Sequence, residues 1–128
     1  MEGIRLLLVD DEEDFRSTLA NRLRKRKLEV VDVGDGQKAV TTVREKTIDV
    51  AVVDVKMPGI DGLETLRQIK QINPLIQVIM LTGHASVESG IEGMKLGAFD
   101  YLMKPCDIND LLLKIEDAFQ QKLVQEMG

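Results

Sequence analysis

The sequence predicts an α/β domain, a doubly wound five-stranded parallel sheet with five helices. Three observations carry that expectation. Short, near-continuous apolar runs recur along the chain in the manner of strands buried on both faces. Between them, apolar residues return at three- and four-residue intervals, the spacing of one helix face. The 128 residues, 44% of them hydrophobic, suffice for one domain with a real core and are too few for two ordinary ones. Strands alternating with helices imply right-handed crossovers and helices on both faces of the sheet.

In chain order, residues 4–9 (IRLLLV) form the first buried strand, and Phe15, Leu19 and Leu23 follow as the first helix. The basic run Arg22, Arg24, Lys25, Arg26 and Lys27 closes that helix, where positive charge complements the dipole. Residues 29–33 alternate charged and β-branched side chains, the pattern of an edge strand. The turn signal Gly34-Asp35-Gly36 leads into a short helix over 37–45. Residues 50–53 (VAVV) are the third strand. Pro58-Gly59 and Asp61-Gly62 mark the loop after it, and Leu63, Leu66 and Ile69 carry the third helix. Pro74 punctuates the passage into the fourth strand, residues 78–81 (VIML). Val87, Ile91 and Met94 define a fourth helix whose interior holds Gly90 and Gly93, each costing about 1 kcal/mol against alanine. Those glycines fit either close packing against a neighbour or a helix weak enough to rearrange. Gly97 suits its C-terminal cap. Residues 99–103 (FDYLM) are a less clean fifth strand. Ile108, Leu111, Leu112, Ile115 and Phe119 give the last helix, which runs toward Lys122. No repeat, low-complexity segment or linker interrupts the series, so residues 1–128 read as one domain.

Composition narrows the function. With 17 basic and 22 acidic residues the net charge is −5. That argues against direct nucleic-acid binding, whose affinity comes largely from Lys and Arg neutralising phosphates. Aromatic residues make up 3%, too few for a base-stacking platform. The single cysteine, Cys106, excludes an intrachain disulfide or a Cys-rich metal cluster and suits packing. No basic leader opens the chain, and no apolar run approaches the roughly 18 residues of a membrane span. The expectation is a soluble, cytoplasmic chain.

The residues that end each central strand say more. The first strand ends in Asp10-Asp11, the third in Asp54, the fourth in Thr82 and the fifth in Lys104-Pro105. In a parallel sheet these ends share one edge, where ligands of open α/β sheets bind. Three carboxylates, a hydroxyl and an ammonium group thus converge from nearly the whole sequence. Carboxylates packed together raise one another's pKa unless a cation intervenes. Mg²⁺ suits, with its oxygen ligands and its habit of sharing a shell with phosphate oxygens. A carboxylate beside it can attack phosphorus and become an aspartyl phosphate. Thr82 could then donate to a phosphoryl oxygen and Lys104 neutralise one. Each group also has an ordinary reading. Asp10 and Asp11, with Glu12 and Glu13, could simply favour the start of a helix. Thr82 could be a plain strand residue, and Lys104 a solvated loop residue. Asp54 resists such a reading, because a charge abutting four buried apolar residues needs a partner. Placed together at the ends of successive strands, the five groups favour one shared site.

Four segments carry a family resemblance. They are Leu6-Leu7-Leu8-Val9-Asp10-Asp11-Glu12, Val53-Asp54-Val55-Lys56-Met57-Pro58-Gly59-Ile60-Asp61-Gly62, Leu81-Thr82-Gly83-His84, and Gly97-Ala98-Phe99-Asp100-Tyr101-Leu102-Met103-Lys104-Pro105. In this order and spacing, over essentially residues 4–122, the chain resembles the receiver domain of bacterial two-component response regulators. The resemblance implies a flavodoxin-like strand order 2-1-3-4-5 and a phosphorylation switch. Asp54 would accept a phosphoryl group from a phosphohistidine on a sensor histidine kinase or phosphotransfer protein. Asp11, Asp54 and the main-chain carbonyl of Lys56 would bind Mg²⁺ directly, with Asp10 acting through water. Lys104, Thr82 and main-chain N–H groups of Lys56 and Gly83 would hold the phosphoryl oxygens. The Lys104–Pro105 bond would be cis. Thr82 and Tyr101 would form the switch pair, the hydroxyl moving toward the phosphate and the ring following inward. A phosphoryl group adds roughly −1.5 to −2 charge and several strong acceptors. Only a conformation with Thr82 and Lys104 close satisfies them, so that population rises.

The same resemblance implies a signalling domain that assists its own phosphorylation and dephosphorylation rather than an enzyme. Its changed surface would be the fourth helix, fifth strand and fifth helix, facing a downstream partner, an output domain or a second copy in a phosphorylation-dependent homodimer. His84 could influence water attack on the phosphate but reads more simply as a loop residue near the site, and Lys56 could either hinder hydrolysis by shielding the site or merely face solvent. The sequence shows no output domain, though residues 81–87 and 94–105 resemble receivers of nitrogen-regulatory transcriptional activators. Three rivals fit less well. A Mg²⁺-dependent phosphohydrolase of the haloacid dehalogenase type would carry Asp-x-Asp, with its nucleophile, after the first strand. A flavodoxin-like cofactor binder would want a Ser/Thr/Gly-rich loop where Asp10-Asp11-Glu12-Glu13-Asp14 would repel phosphate. A pseudo-receiver used only for docking would lack acceptor-site groups, and all are present.

Overall fold

Period-two alternation along the central strands divides the core in two. In the computed structural model, which describes residues 3–83 and 87–128, strands β1 (Arg5–Val9), β3 (Val50–Asp54) and β4 (Gln77–Thr82) are buried throughout apart from Arg5. Leu6, Leu8, Val50, Val52, Ile79 and Leu81 point to one face of the sheet, where α1 (Glu13–Arg24) and α5 (Ile108–Met127) cover them. Leu7, Val9, Ala51, Val53, Val78 and Met80 point to the other, under α2 (Gly36–Glu45), α3 (Gly62–Ile72) and α4 (Val87–Lys95). Successive strand residues face opposite sides, so a strand apolar at every position demands this two-sided cover. Each fully buried Leu, Ile or Val contributes about 1.5–3 kcal/mol.

All pairings are parallel, and the strand order is β2-β1-β3-β4-β5, with β2 at Glu29–Val33 and β5 at Asp100–Met103. This is the expected flavodoxin-like arrangement, including the edge position of β2. Register brings the functional ends level: Val9 lies opposite Val53, Asp54 opposite Leu81, and Thr82 opposite Met103.

Local chemistry sets the connections. Asp35, Asp61 and Asp107 cap α2, α3 and α5, each carboxylate accepting a backbone N–H in the first turn. Gly97 takes φ +103° and ends α4 as expected, with the Ala98 N–H donating to the Gly93 carbonyl. The glycines within α4 serve close packing. A Cβ on Gly90 would lie 3.2 Å from the Tyr101 ring, and one on Gly93 3.2 Å from Met80 Cγ. Helix α5 runs five residues beyond the expected Lys122 region, to Met127. Its Lys122 ammonium is buried and paired with Asp49 at 3.1 Å. Asp49 also receives two bonds from the Arg5 guanidinium, at 3.0 and 3.1 Å. The basic end of α1 is only partly a solvated terminus, since Arg24 bonds Asp32 and the Val30 carbonyl of β2.

Candidate functional site

The carboxyl ends of β1, β3, β4 and β5 open into one cleft of about 330 Å³, lined by Asp11, Glu12, Asp54, Lys56, Thr82, Gly83 and Lys104. Asp10 lies beneath it, fully buried. Its Oδ1 accepts the Glu12 N–H at 2.9 Å and its Oδ2 accepts the Lys104 ammonium at 2.7 Å. Neither Asp10 nor Asp11 caps α1. The capping position is Glu12, without a side-chain cap bond, so the capping account of these acids does not apply. Asp10 instead ties its own loop together, and both its oxygens are engaged. Asp11 and Asp54 are the aspartates that line the cleft, Asp11 exposed and Asp54 buried.

Asp54 is the last residue of β3 and 6% exposed. Gly62 is what lets the following loop fold back so closely. Its N–H bonds the Val55 carbonyl at 2.8 Å, and a Cβ there would overlap the Asp54 carbonyl oxygen. Burial, then the charge of Asp10, push the Asp54 carboxyl up to about 6. Lys104 opposes that rise, Asp11 adds to it, and a bond from the Lys56 N–H works against it. Lys104 Nζ stands 3.7 Å from Asp54 and 3.3 Å from Glu12. Burial lowers the Lys104 pKa, but the bond and charge of Asp10, with Asp54 and Glu12, outweigh it and leave the ammonium firmly protonated.

Oxygens of Asp10, Asp11 and Asp54 lie within 4.8 Å of one another. The donor set is oxygen only, and the Asp54 pKa is raised by burial first and then by the charge of Asp10, with Lys104 opposing and Asp11 adding. Both features fit a hard divalent cation such as Mg²⁺. Among the described residues, no helix is long and apolar enough to cross a membrane.

The remaining expected residues are placed as follows. Thr82 ends β4, nearly buried, and its hydroxyl donates to the Gly83 carbonyl at 2.8 Å. Lys56 lines the cleft as an exposed residue, and its backbone N–H bonds Asp54. The Lys104–Pro105 bond is cis, as the resemblance implies. Tyr101 is half-buried and packs on Gly90 of α4 rather than lining the cleft. Cys106 is partly buried, and burial pushes its thiol pKa up, in keeping with packing. His84 lies outside the described residues.

Sequence reasoning missed two site neighbours on α1. The Phe15 ring centroid lies 4.4 Å from Lys104 Nζ. Arg16 donates to the Asp10 carbonyl at 2.8 Å and to Asp32 at 3.0 Å. Arg16 left one signal, a cation two residues after the last of a run of five acids. Phe15 read only as a core residue.

A family model described as the response regulator receiver domain matches residues 6–116. The transcriptional regulatory protein ZraR of Klebsiella oxytoca is 37% identical over 125 residues, 98% of this chain and 28% of that protein. The DNA-binding transcriptional regulator NtrC of Escherichia coli K12 is 35% identical over 119 residues, 93% of this chain and 25% of that one. The chain therefore spans about a quarter of the length of these relatives. A crystal structure of a CheY-like response regulator receiver domain protein from Methanospirillum hungatei superposes with a TM-score of 0.90 at 28% identity, covering 99% of this chain and 100% of that one.

Proposed function

This chain belongs to the response regulator receiver domain family, and we propose that within it the chain is a phosphorylation switch whose acceptor is Asp54. The observation that carries the reading is the carboxylate at the end of β3, buried beside Asp10 and Asp11, with a protonated Lys104 at 3.7 Å.

In the proposed reaction an Asp54 oxygen attacks the phosphorus of a phosphohistidine. The new O–P bond forms as the P–N bond breaks, and the imidazole leaves, so the acid becomes an acyl phosphate. The donor is a sensor histidine kinase or phosphotransfer protein. Asp11, Asp54 and the Lys56 carbonyl would hold Mg²⁺, with Asp10 acting through water. An ion held there would supply positive charge to offset that of the transferring phosphoryl group. Lys104 moves from Asp10 toward a phosphoryl oxygen. The Gly83 and Lys56 N–H groups offer further donors, and Thr82 exchanges its bond to the Gly83 carbonyl for one to the phosphate. Phosphoryl transfer asks for little beyond such positioning and charge stabilisation.

The readout follows from Tyr101. Inward movement of Thr82 vacates space that the ring fills, and the ring's seat on Gly90 couples that movement to α4. Ile91, Met94, Met103 and Leu113 are exposed. This apolar set on α4, β5 and α5 supports that face as the surface offered to an output domain, a downstream partner or a second copy. The chain works in the cytoplasm as a signalling module, assisting only its own phosphorylation and dephosphorylation.

Incubation with acetyl phosphate and Mg²⁺ tests the reading by intact mass. The wild type gains one phosphoryl group and the Asp54→Asn variant gains none. Modification of both, or of neither, contradicts it.

A further inference from the structure

We propose that Phe15 is a positioning residue for Lys104: its ring face supports the ammonium at the cleft while leaving the N–H groups free for phosphoryl oxygens. The inference rests on Asp54 being the phosphoacceptor. A lysine ammonium is a point charge on a flexible four-carbon stem, and something must hold it in place. In the resting structure its hydrogen-bonding neighbours are carboxylates, Asp10 at 2.7 Å and Glu12 at 3.3 Å, with Asp54 at 3.7 Å. Those attractions favour the pose nearest Asp10. A phosphoryl group on Asp54 requires a pose displaced from it.

The Phe15 ring, 4.4 Å from Nζ, lies well inside the roughly 6 Å reach of a cation–π contact. Its attraction is broad in direction, uses no N–H, and persists as the ammonium shifts between carboxylates. The ring also keeps water from one side of a side chain that is only 14% exposed, which strengthens every charge interaction there.

Two features fix the ring. Phe15 packs against the core beside Leu19, Cys106 and Ile108. The next residue, Arg16, bonds the Asp10 carbonyl and Asp32, so the start of α1 and the turn bearing Asp10 form one unit. Leucine at position 15 would fill apolar space but offer the ammonium no π face, whereas tyrosine retains one.

The test compares the full chain with its Phe15→Leu, Phe15→Met and Phe15→Tyr variants. Proton NMR reads the ring-current shift of the Lys104 Cε methylene. Phosphorylation by acetyl phosphate at saturating Mg²⁺ is resolved into maximal rate and donor affinity, and thermal unfolding monitors the fold. The proposal expects the ring-current shift in wild type and Phe15→Tyr and its loss in Phe15→Leu and Phe15→Met. It expects the maximal rate to fall about three- to tenfold in the two aliphatic variants, with a smaller change in donor affinity, and Phe15→Tyr to stay within about twofold of wild type. If Phe15→Leu loosens the fold, Phe15→Met with its unbranched side chain decides. An aliphatic variant that folds and reacts at the wild-type rate overturns the proposal, as does a tyrosine variant that loses as much as leucine. A wild type that takes up no phosphoryl group overturns the reading of Asp54 and the kinetic role together, while the NMR shift still reports the contact itself.

Discussion

Two aspartates flank one buried strand, and their surroundings push them in opposite directions. At position 54 burial, Asp10 and Asp11 raise the carboxyl pKa to about 6. The native state then holds its proton at pH values where the unfolded chain, with a pKa near 3.8, has lost it. Stability therefore falls as pH rises from about 4 to 6 and stays lowered above that. In metal-free protein at neutral pH the penalty is on the order of 2 kcal/mol, since the open side of the cleft admits water. Asp54→Asn should thus be the more stable protein in urea unfolding at pH 7.5. Its advantage should shrink near pH 4 and on adding Mg²⁺, and an equal or less stable variant contradicts this. Asp49 behaves in the reverse sense. Burial opposes its charge, but bonds from Arg5 and Lys122 prevail and lower its pKa. Its contribution is present above the ordinary carboxylate range and is lost as pH falls through the depressed value. Asp49→Asn should therefore destabilise at neutral pH, by about 1–3 kcal/mol in the same unfolding assay. The reasoning that singles out Asp54, a charge abutting a buried strand, applies equally to Asp49. What the sequence withholds is the partner, because Arg5 and Lys122 reach Asp49 from β1 and from the far end of α5.

Elements were legible wherever one periodicity ran unbroken. The strands emerged as apolar runs, with β3 and β4 each extending one residue further at the carboxyl end, to Asp54 and Thr82. A polar residue there is paired into the sheet like its apolar neighbours. Strand β5 read less cleanly because it is an edge strand, paired on one side only and half-buried. Helix α5 outran its apolar pattern because Lys122, polar by type, behaves as an inward-facing residue. The loop into α3 makes a sharp prediction. At Gly62 a Cβ would overlap the Asp54 carbonyl and lie 2.7 Å from Val55 Cα, both backbone atoms that cannot step aside. Gly62→Ala should cost about 2 kcal/mol or more in denaturant unfolding and slow phosphorylation by displacing Asp54. Helix α4 poses a different question. Gly90 and Gly93 admit Tyr101 and Met80 at close range, yet they also lower its intrinsic helicity. We expect α4 to be the part that rearranges. Its amides should exchange with solvent well before those of β1, β3 and β4, and protection equal to the strands would sink that expectation.

For the molecule as a whole, parallel topology converts scattered sequence positions into one site. The strand order and common direction bring residues 10, 11, 54, 82 and 104 to a single edge; the common direction follows from alternating strands and helices, and the order from the family resemblance. The convergence of these polar ends was therefore readable. The supporting contacts of Phe15 and Arg16 were not, because they depend on how far α1 is rotated and how close it lies to the sheet, which no spacing rule specifies. In the proposed switch, the exposed apolar set on α4, β5 and α5 would read charge added at the cleft through the Tyr101 ring seated on Gly90 of α4. The account stands or falls on a covalent bond at Asp54. Reductive trapping tests it most directly: borohydride cuts an acyl phosphate at its carbonyl and leaves an alcohol in place of the acid. After treatment with acetyl phosphate and Mg²⁺, peptide mapping should find that altered side chain at position 54 alone. Trapping at Asp10, Asp11 or any other carboxylate, with position 54 unmodified, would contradict the account.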